Sequence, residues 1–171
     1  LKEAVTRFGT AGVNKVDTTV FRDNRNRRSP EEEKELKQLK TERLLITWLI
    51  NENALLNKLE GKISAEDFLD PVYRDIVKAL FEQYANEGKV TPAAIISHYQ
   101  SKEEHEKVSA IMQQDFDMEI AQNEKSKVIT DLVRSIRHRS IQHQIEHAKG
   151  DLVKTGQLML AKAQIDKLQI I

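Results

Sequence analysis

Residues 122–171 read QNEKSKVITDLVRSIRHRSIQHQIEHAKGDLVKTGQLMLAKAQIDKLQII. Two helical arms and a break are written into that stretch. In the first arm, apolar residues recur at Ile129, Leu132, Val133, Ile136, Ile141, Ile145 and Ala148. The steps are mostly three or four, as one helical face requires. Lys149-Gly150-Asp151 interrupts the pattern. The second arm then carries Leu152, Leu158, Ala161, Ile165 and Leu168, again at helical spacing. A hairpin this long cannot bury both stripes unaided, so it must pack on the rest of the chain, on a partner, or on both.

Upstream, three prolines decide the class. Ser29-Pro30, Asp70-Pro71 and Thr91-Pro92 each set a capping side chain before a proline at the first helical position. Glu32 completes a capping box with Ser29. These signals predict a helix from Pro30 to about Asn51, with Leu44, Leu45, Trp48 and Leu49 in a core and Trp48 as an anchor of it. Shorter helices are predicted over residues 54–59, 71–86 (stopped by Gly88), 92–99 and 101–112, with a capped turn at residues 64–67 leading to Phe68. The fold class is therefore all-α. A compact helical bundle spans residues 30–121, including an acidic connector at 115–121. A long connecting helix spans 122–149, and a C-terminal arm at 150–171 closes the helical hairpin. Residues 1–29 read as a basic tether.

Charge is segregated along a chain that is neutral as a whole. Residues 1–29 carry seven basic and three acidic side chains, residues 30–121 eleven and nineteen, and residues 122–171 nine and five. A basic arm on an acidic body argues against a dedicated nucleic-acid binder. Direct nucleic-acid contact is expected to be weak or absent, and the arm reads first as a solvated tether. Cysteine is absent, which excludes disulfides and thiolate metal sites and suits a reducing compartment. No apolar run approaches a membrane span and no signal peptide is evident, so a cytoplasmic protein without membrane contact is expected. A start at Leu1 predicts a piece of a longer chain.

One stretch imitates a catalytic motif. His143-Gln144-Ile145-Glu146-His147 fits the H-x-x-E-H signature of inverted zinc proteases, with both histidines on one helical face. No third ligand or cleft residue accompanies it, and such short polar motifs arise by chance. Adventitious zinc or nickel binding at His143 and His147 is the most it implies. Phosphate-cradling glycine motifs and nucleophile elbows are missing. No catalytic residue, metal site or cofactor is expected.

Three segments carry a family resemblance: Glu42-Arg43-Leu44-Leu45, residues 63–76 (ISAEDFLDPVYRDI) and residues 128–137 (VITDLVRSIR), together with the ending at 145–151 (IEHAKGD). Over residues 36–171 the chain resembles the C-terminal helicase-binding domain of bacterial replicative primases (DnaG). That resemblance implies a non-enzymatic fragment of a primer-synthesising polymerase. It would dock on the N-terminal collar of the hexameric DnaB helicase, recruit primase to the fork and modulate both activities. It also implies that a single-stranded-DNA-binding protein docks in some relatives. The alternative is close in fold: the N-terminal oligomerisation domain of the replicative helicase itself. The charged tether and the last helix running to Ile171 with no linker are read in favour of primase.

Within the second arm, Leu158, Ala161, Ile165 and Leu168 are expected to pack on the long helix. Leu160, Gln164, Lys167 and Ile171 would be left for the partner, with Lys154, Lys162 and Lys167 steering toward an acidic surface. Which stripe faces the partner is open at this stage, so Leu158 and Leu168 stay among the candidate contacts. A monomer or a domain-swapped dimer fits the long hairpin.

Overall fold

The computed structural model describes residues 29–113 and 122–170. The expected tether up to residue 28, the acidic connector and Ile171 lie outside those residues. Among the described residues seven helices and one 3-10 turn follow in order: α1 (Pro30–Asn51), α2 (Ala54–Leu59), the turn Ala65–Asp67, α3 (Pro71–Glu87), α4 (Pro92–Ile96), α5 (Lys102–Met112), α6 (Gln122–His147) and α7 (Leu152–Ile165). The fold is all-α, and no strand occurs among the described residues.

Local chemistry sets most helix starts. The Ser29 hydroxyl accepts the Glu32 amide at 3.1 Å, while the Glu32 carboxylate accepts the Ser29 amide at 2.7 Å. Asp70 accepts the amides of Val72 and Tyr73 at 2.8 and 3.2 Å. Ser101 accepts the amide of Glu104, and Asp151 that of Lys154. Such caps are worth about 1 kcal/mol each. Thr91 departs from expectation, since its side chain makes no cap bond. Its backbone amide instead donates to the Gln83 side chain at 2.8 Å, which ties the short α4 to α3. Gly88 ends α3 in the left-handed region at φ 68°, where an L side chain would be strained.

One core gathers the bundle. Leu45, Ile46, Trp48 and Leu49 of α1 meet Leu55, Leu56 and Leu59 of α2, Phe68 after the turn, and Ile76, Val77 and Leu80 of α3. Ile95, Val108, Ile111 and Met112 close one side. The first half of α6 belongs to the same core through Ile129, Val133 and Ile136. The bundle thus continues into the helix that the sequence reading set apart as a connector. Lys125 fastens the start of α6 to α1: it pairs with Glu52 and lies over the Trp48 ring, 5.2 Å from its centroid.

The second half of α6 leaves the core and receives α7. Ile141, Ala148 and Ile165 are buried in this seam, outside the main cluster. Beyond α7 the chain stays pinned to α6. His138 bonds Asp166 at 2.8 Å, and Arg134 donates to the Leu168 carbonyl. Ser126 donates to the Ile170 carbonyl, and the Ile170 amide donates to Thr130 at 3.2 Å. Ile170 thereby returns to the main core.

Candidate interaction surfaces

The H-x-x-E-H stretch assembles no metal centre. His143 and His147 stack with ring centroids 4.1 Å apart on the exposed side of α6. The Nδ1 of His147 bonds the His143 carbonyl at 2.8 Å. A carbonyl only accepts, so that nitrogen carries the proton and is lost as a ligand. Among the described residues no group of three or more His, Cys, Asp or Glu side chains converges on a metal position.

The candidate partner residues divide between two faces of α7 and the tail just beyond it. Leu158, Ala161 and Leu168 are half-buried and Ile165 is buried. Lys162 is drawn inward as well, donating to Gln142 of α6 at 2.9 Å. Leu158, Lys162 and Leu168, expected among the contacts, thus sit toward α6. Lys154, Leu160, Gln164 and Lys167 are exposed. Leu152 corrects the periodicity reading, which grouped it with the inner stripe. It is 87% exposed. At 3.6 residues per turn it stands roughly 140° around the helix from Ile165 and roughly 180° from Ala161.

The outer face that results is more apolar than foreseen. Leu152 (87%), Val153 (73%), Leu160 (69%) and Met159 (58%) are the large hydrophobic residues left exposed among the described residues. Exposed Gly156 and Ala163 lie between them. All six fall within an arc of roughly 120°. Val153, Gly156, Met159 and Ala163 were not recognised as site residues. Their signal was present in the sequence, because α7 is apolar on more than one face and only one can meet α6.

A second feature lies on the bundle. Glu42 of α1 is buried completely. Its Oε1 accepts from the Gln38 side chain at 2.9 Å and from the Leu69 amide at 3.2 Å. Its Oε2 accepts no hydrogen bond, although the Asp70 amide lies close enough to weigh on its titration. Burial pushes its carboxyl above the ordinary range, against the opposing pull of Gln38 and the two backbone amides.

A family model described as the DnaB-like helicase N terminal domain matches residues 34–138, more than half of the chain. No curated protein and no solved structure matches it. The match overturns the primase reading and, with it, docking on a helicase as a foreign partner. The physical reason lies in the segments that carried the resemblance. Leu45, Ile63, Phe68, Tyr73, Ile76, Ile129, Val133 and Ile136 are all core positions. They encode how a bundle packs, and two families sharing that bundle share them. The features used to choose between the two families, a tether before and nothing after, concerned the ends of the stretch and carried no information on its kind. The expectation of no catalysis in this segment agrees with an N-terminal helicase domain, which is a non-catalytic part. The primase parent has no support. No helix among the described residues is long and apolar enough to cross a membrane.

Proposed function

This chain belongs to the DnaB-like helicase N-terminal domain family, and from that premise we propose that it is a non-catalytic assembly domain, holding copies of a DnaB-like helicase together. It acts with the replication apparatus in the cytoplasm. The observation that carries this reading is the outer face of α7. Four large apolar side chains there face water around Gly156 and Ala163. Small residues in such a stripe let a second helix approach closely. Burying four such side chains from each of two copies is worth on the order of 10 kcal/mol or more in gross terms. That is sufficient to offset an association cost of about 4–15 kcal/mol. The matched residues end at His138, within α6. The α7 face is therefore assigned by its own chemistry, with Leu160 within it and Gln164 at one edge, while Lys154 lies on the opposite side of the helix and Lys167 just beyond its end. A self-complementary face of this kind closes a two-fold pair, from which a hexamer is built as three pairs.

Sedimentation velocity on the full chain tests this. Wild type should associate with increasing concentration. Leu160→Asp should weaken association at least about tenfold, the loss of one buried apolar side chain per copy, with an unchanged helical circular dichroism spectrum. A wild type that stays monomeric at ~100 μM, far above the dissociation constants of specific interfaces, would sink the reading. So would a Leu160→Asp variant that associates as tightly as wild type.

A further inference from the structure

Nothing within the described chain explains why residue 156 is a glycine. Gly156 lies inside α7, on its exposed side. Gly61, Gly88 and Gly150 each adopt a positive φ, and Gly156 does not. A Cβ built on it would meet no side chain, and no backbone outside its own helix, within 4 Å. Glycine is the poorest helix former after proline, so here it weakens α7 with no gain inside the fold. Sequences keep such local violations chiefly where function uses them. Its placement shows what could use this one. At 3.6 residues per turn Gly156 stands roughly 180° around α7 from Ile165, which is buried against α6. It falls midway across the exposed arc of Leu152, Val153, Met159 and Leu160. Gly156 is therefore a notch in the middle of a bulky apolar face, and exposed Ala163, seven residues on, is a shallower one.

We propose that Gly156 is the seat for Leu160 of a second copy, and that this contact sets two α7 helices antiparallel and in one register. The proposal rests on the reading of α7 as a self-association face and adds the residue that specifies the pairing. α7 runs from Leu152 to Ile165. Full antiparallel overlap of two copies brings Leu160 of one over Gly156 of the other, to within one residue. The same overlap brings Val153 over Ala163. By two-fold symmetry each contact occurs twice, so both notches in each copy are filled by a large side chain. A parallel pair would instead set Leu160 on Leu160 and Gly156 on Gly156, crowding one level and leaving a gap at the next. Small residues at the crossing let the axes approach to ~8 Å, the close end of helix packing. Residues 153, 156, 157 and 160 then form the four-cornered hole that a leucine knob enters.

Two measurements on the full chain test this. In sedimentation velocity, Gly156→Leu should weaken association at least about tenfold, the scale of overpacking a close contact. Both Gly156→Leu and Gly156→Ala are better helix formers in open space, so at low concentration each should melt at or above the wild-type temperature. Association as tight as wild type in Gly156→Leu would overturn the seat. If Leu160→Asp still weakened association, the assembly reading would stand without it, whereas a monomeric wild type would sink both. The register is read by disulfide trapping, which is clean because the chain has no cysteine. Chains carrying Val153→Cys and Ala163→Cys are oxidised singly and as a mixture, and the products are identified by mass. The mixture should give the mixed disulfide. Each chain alone should give little, because its two thiols sit ~15 Å apart along the axis. Homodimers at both positions would mean a parallel pair. Either that result, or no cross-link from chains that associate, would overturn the register.

Discussion

α3 and α7 are both amphipathic helices, of 17 and 14 residues, and they use their apolar side chains in opposite ways. α3 buries Tyr73, Ile76, Val77 and Leu80 in a core that α1, α5 and α6 also enter. α7 buries only Ile165 and leaves Leu152, Val153, Met159 and Leu160 in water. One helix spends its apolar surface on folding and the other withholds it. A helix that is apolar on two faces but covered on one is incomplete as a monomer. The comparison separates the part of the chain that holds itself together from the part that holds something else.

The largest effect should come from the α3 side. Ile76→Ala removes a fully buried side chain at the meeting of several helices. There the surroundings can collapse little, so the loss should be about 3–4 kcal/mol. Urea denaturation followed by circular dichroism should show one transition moved to lower denaturant. A loss below about 1 kcal/mol, no more than an average point substitution costs, would break the claim that α3 sits in a rigid core.

Ile165→Ala on α7 should cost less, about 2 kcal/mol, because the seam has one open side and can close over the gap. Its signature should differ in kind as well. The bundle core does not include Ile165, so the damage should stay local. Hydrogen exchange should quicken across residues 152–165 and leave residues 72–80 protected. The tail bonds from Ser126, Thr130 and Arg134 to Leu168 and Ile170 should persist, since they lie beyond α7 on the bundle side. Quickened exchange throughout α3 would show that hairpin and bundle unfold as one unit, and the distinction between them would fail.

The same contrast governs what could be read from the sequence. Helix starts at Ser29, Asp70 and Ser101 were legible, because a cap is a contact between residues two or three apart, whereas Asp151 was read only as part of a break. Thr91 was misread because its partner, Gln83, sits eight residues away on another helix. The burial of Trp48 followed from spacing alone. Leu152 did not, since on a helix with apolar residues on several faces periodicity cannot tell which face meets a neighbour. The family was harder still. The segments that suggest it are bundle core, and a core records packing more faithfully than use. Glu42 was invisible as a special residue: one of its hydrogen-bond donors is the amide of Leu69, far along the chain, and nothing in Glu42-Arg43-Leu44-Leu45 marks that carboxylate as withdrawn from water.

Glu42 also gives the smallest and most discriminating expectation. On the bundle side it keeps one buried oxygen, Oε2, that accepts no hydrogen bond, while Oε1 ties Gln38 and Leu69 together. In Glu42→Gln the amide oxygen can accept from Gln38 and Leu69 as Oε1 does now, so both existing bonds survive. The charge, and its desolvation, are removed. Because burial raises the carboxyl above its ordinary value, the folded state holds its proton more firmly than the unfolded state. Below the ordinary carboxyl range both states are protonated, and wild type and variant should melt together. As pH rises through the raised value, wild type must bury a charge and loses stability relative to the variant. The melting temperature of Glu42→Gln should therefore match wild type at pH ~3 and exceed it at pH ~7, by no more than about 4 °C. Thermal melts at the two values decide it. A variant less stable than wild type at pH 7 would mean that the charge itself supports the bundle, and Glu42 would then be a structural residue of the body like those around it.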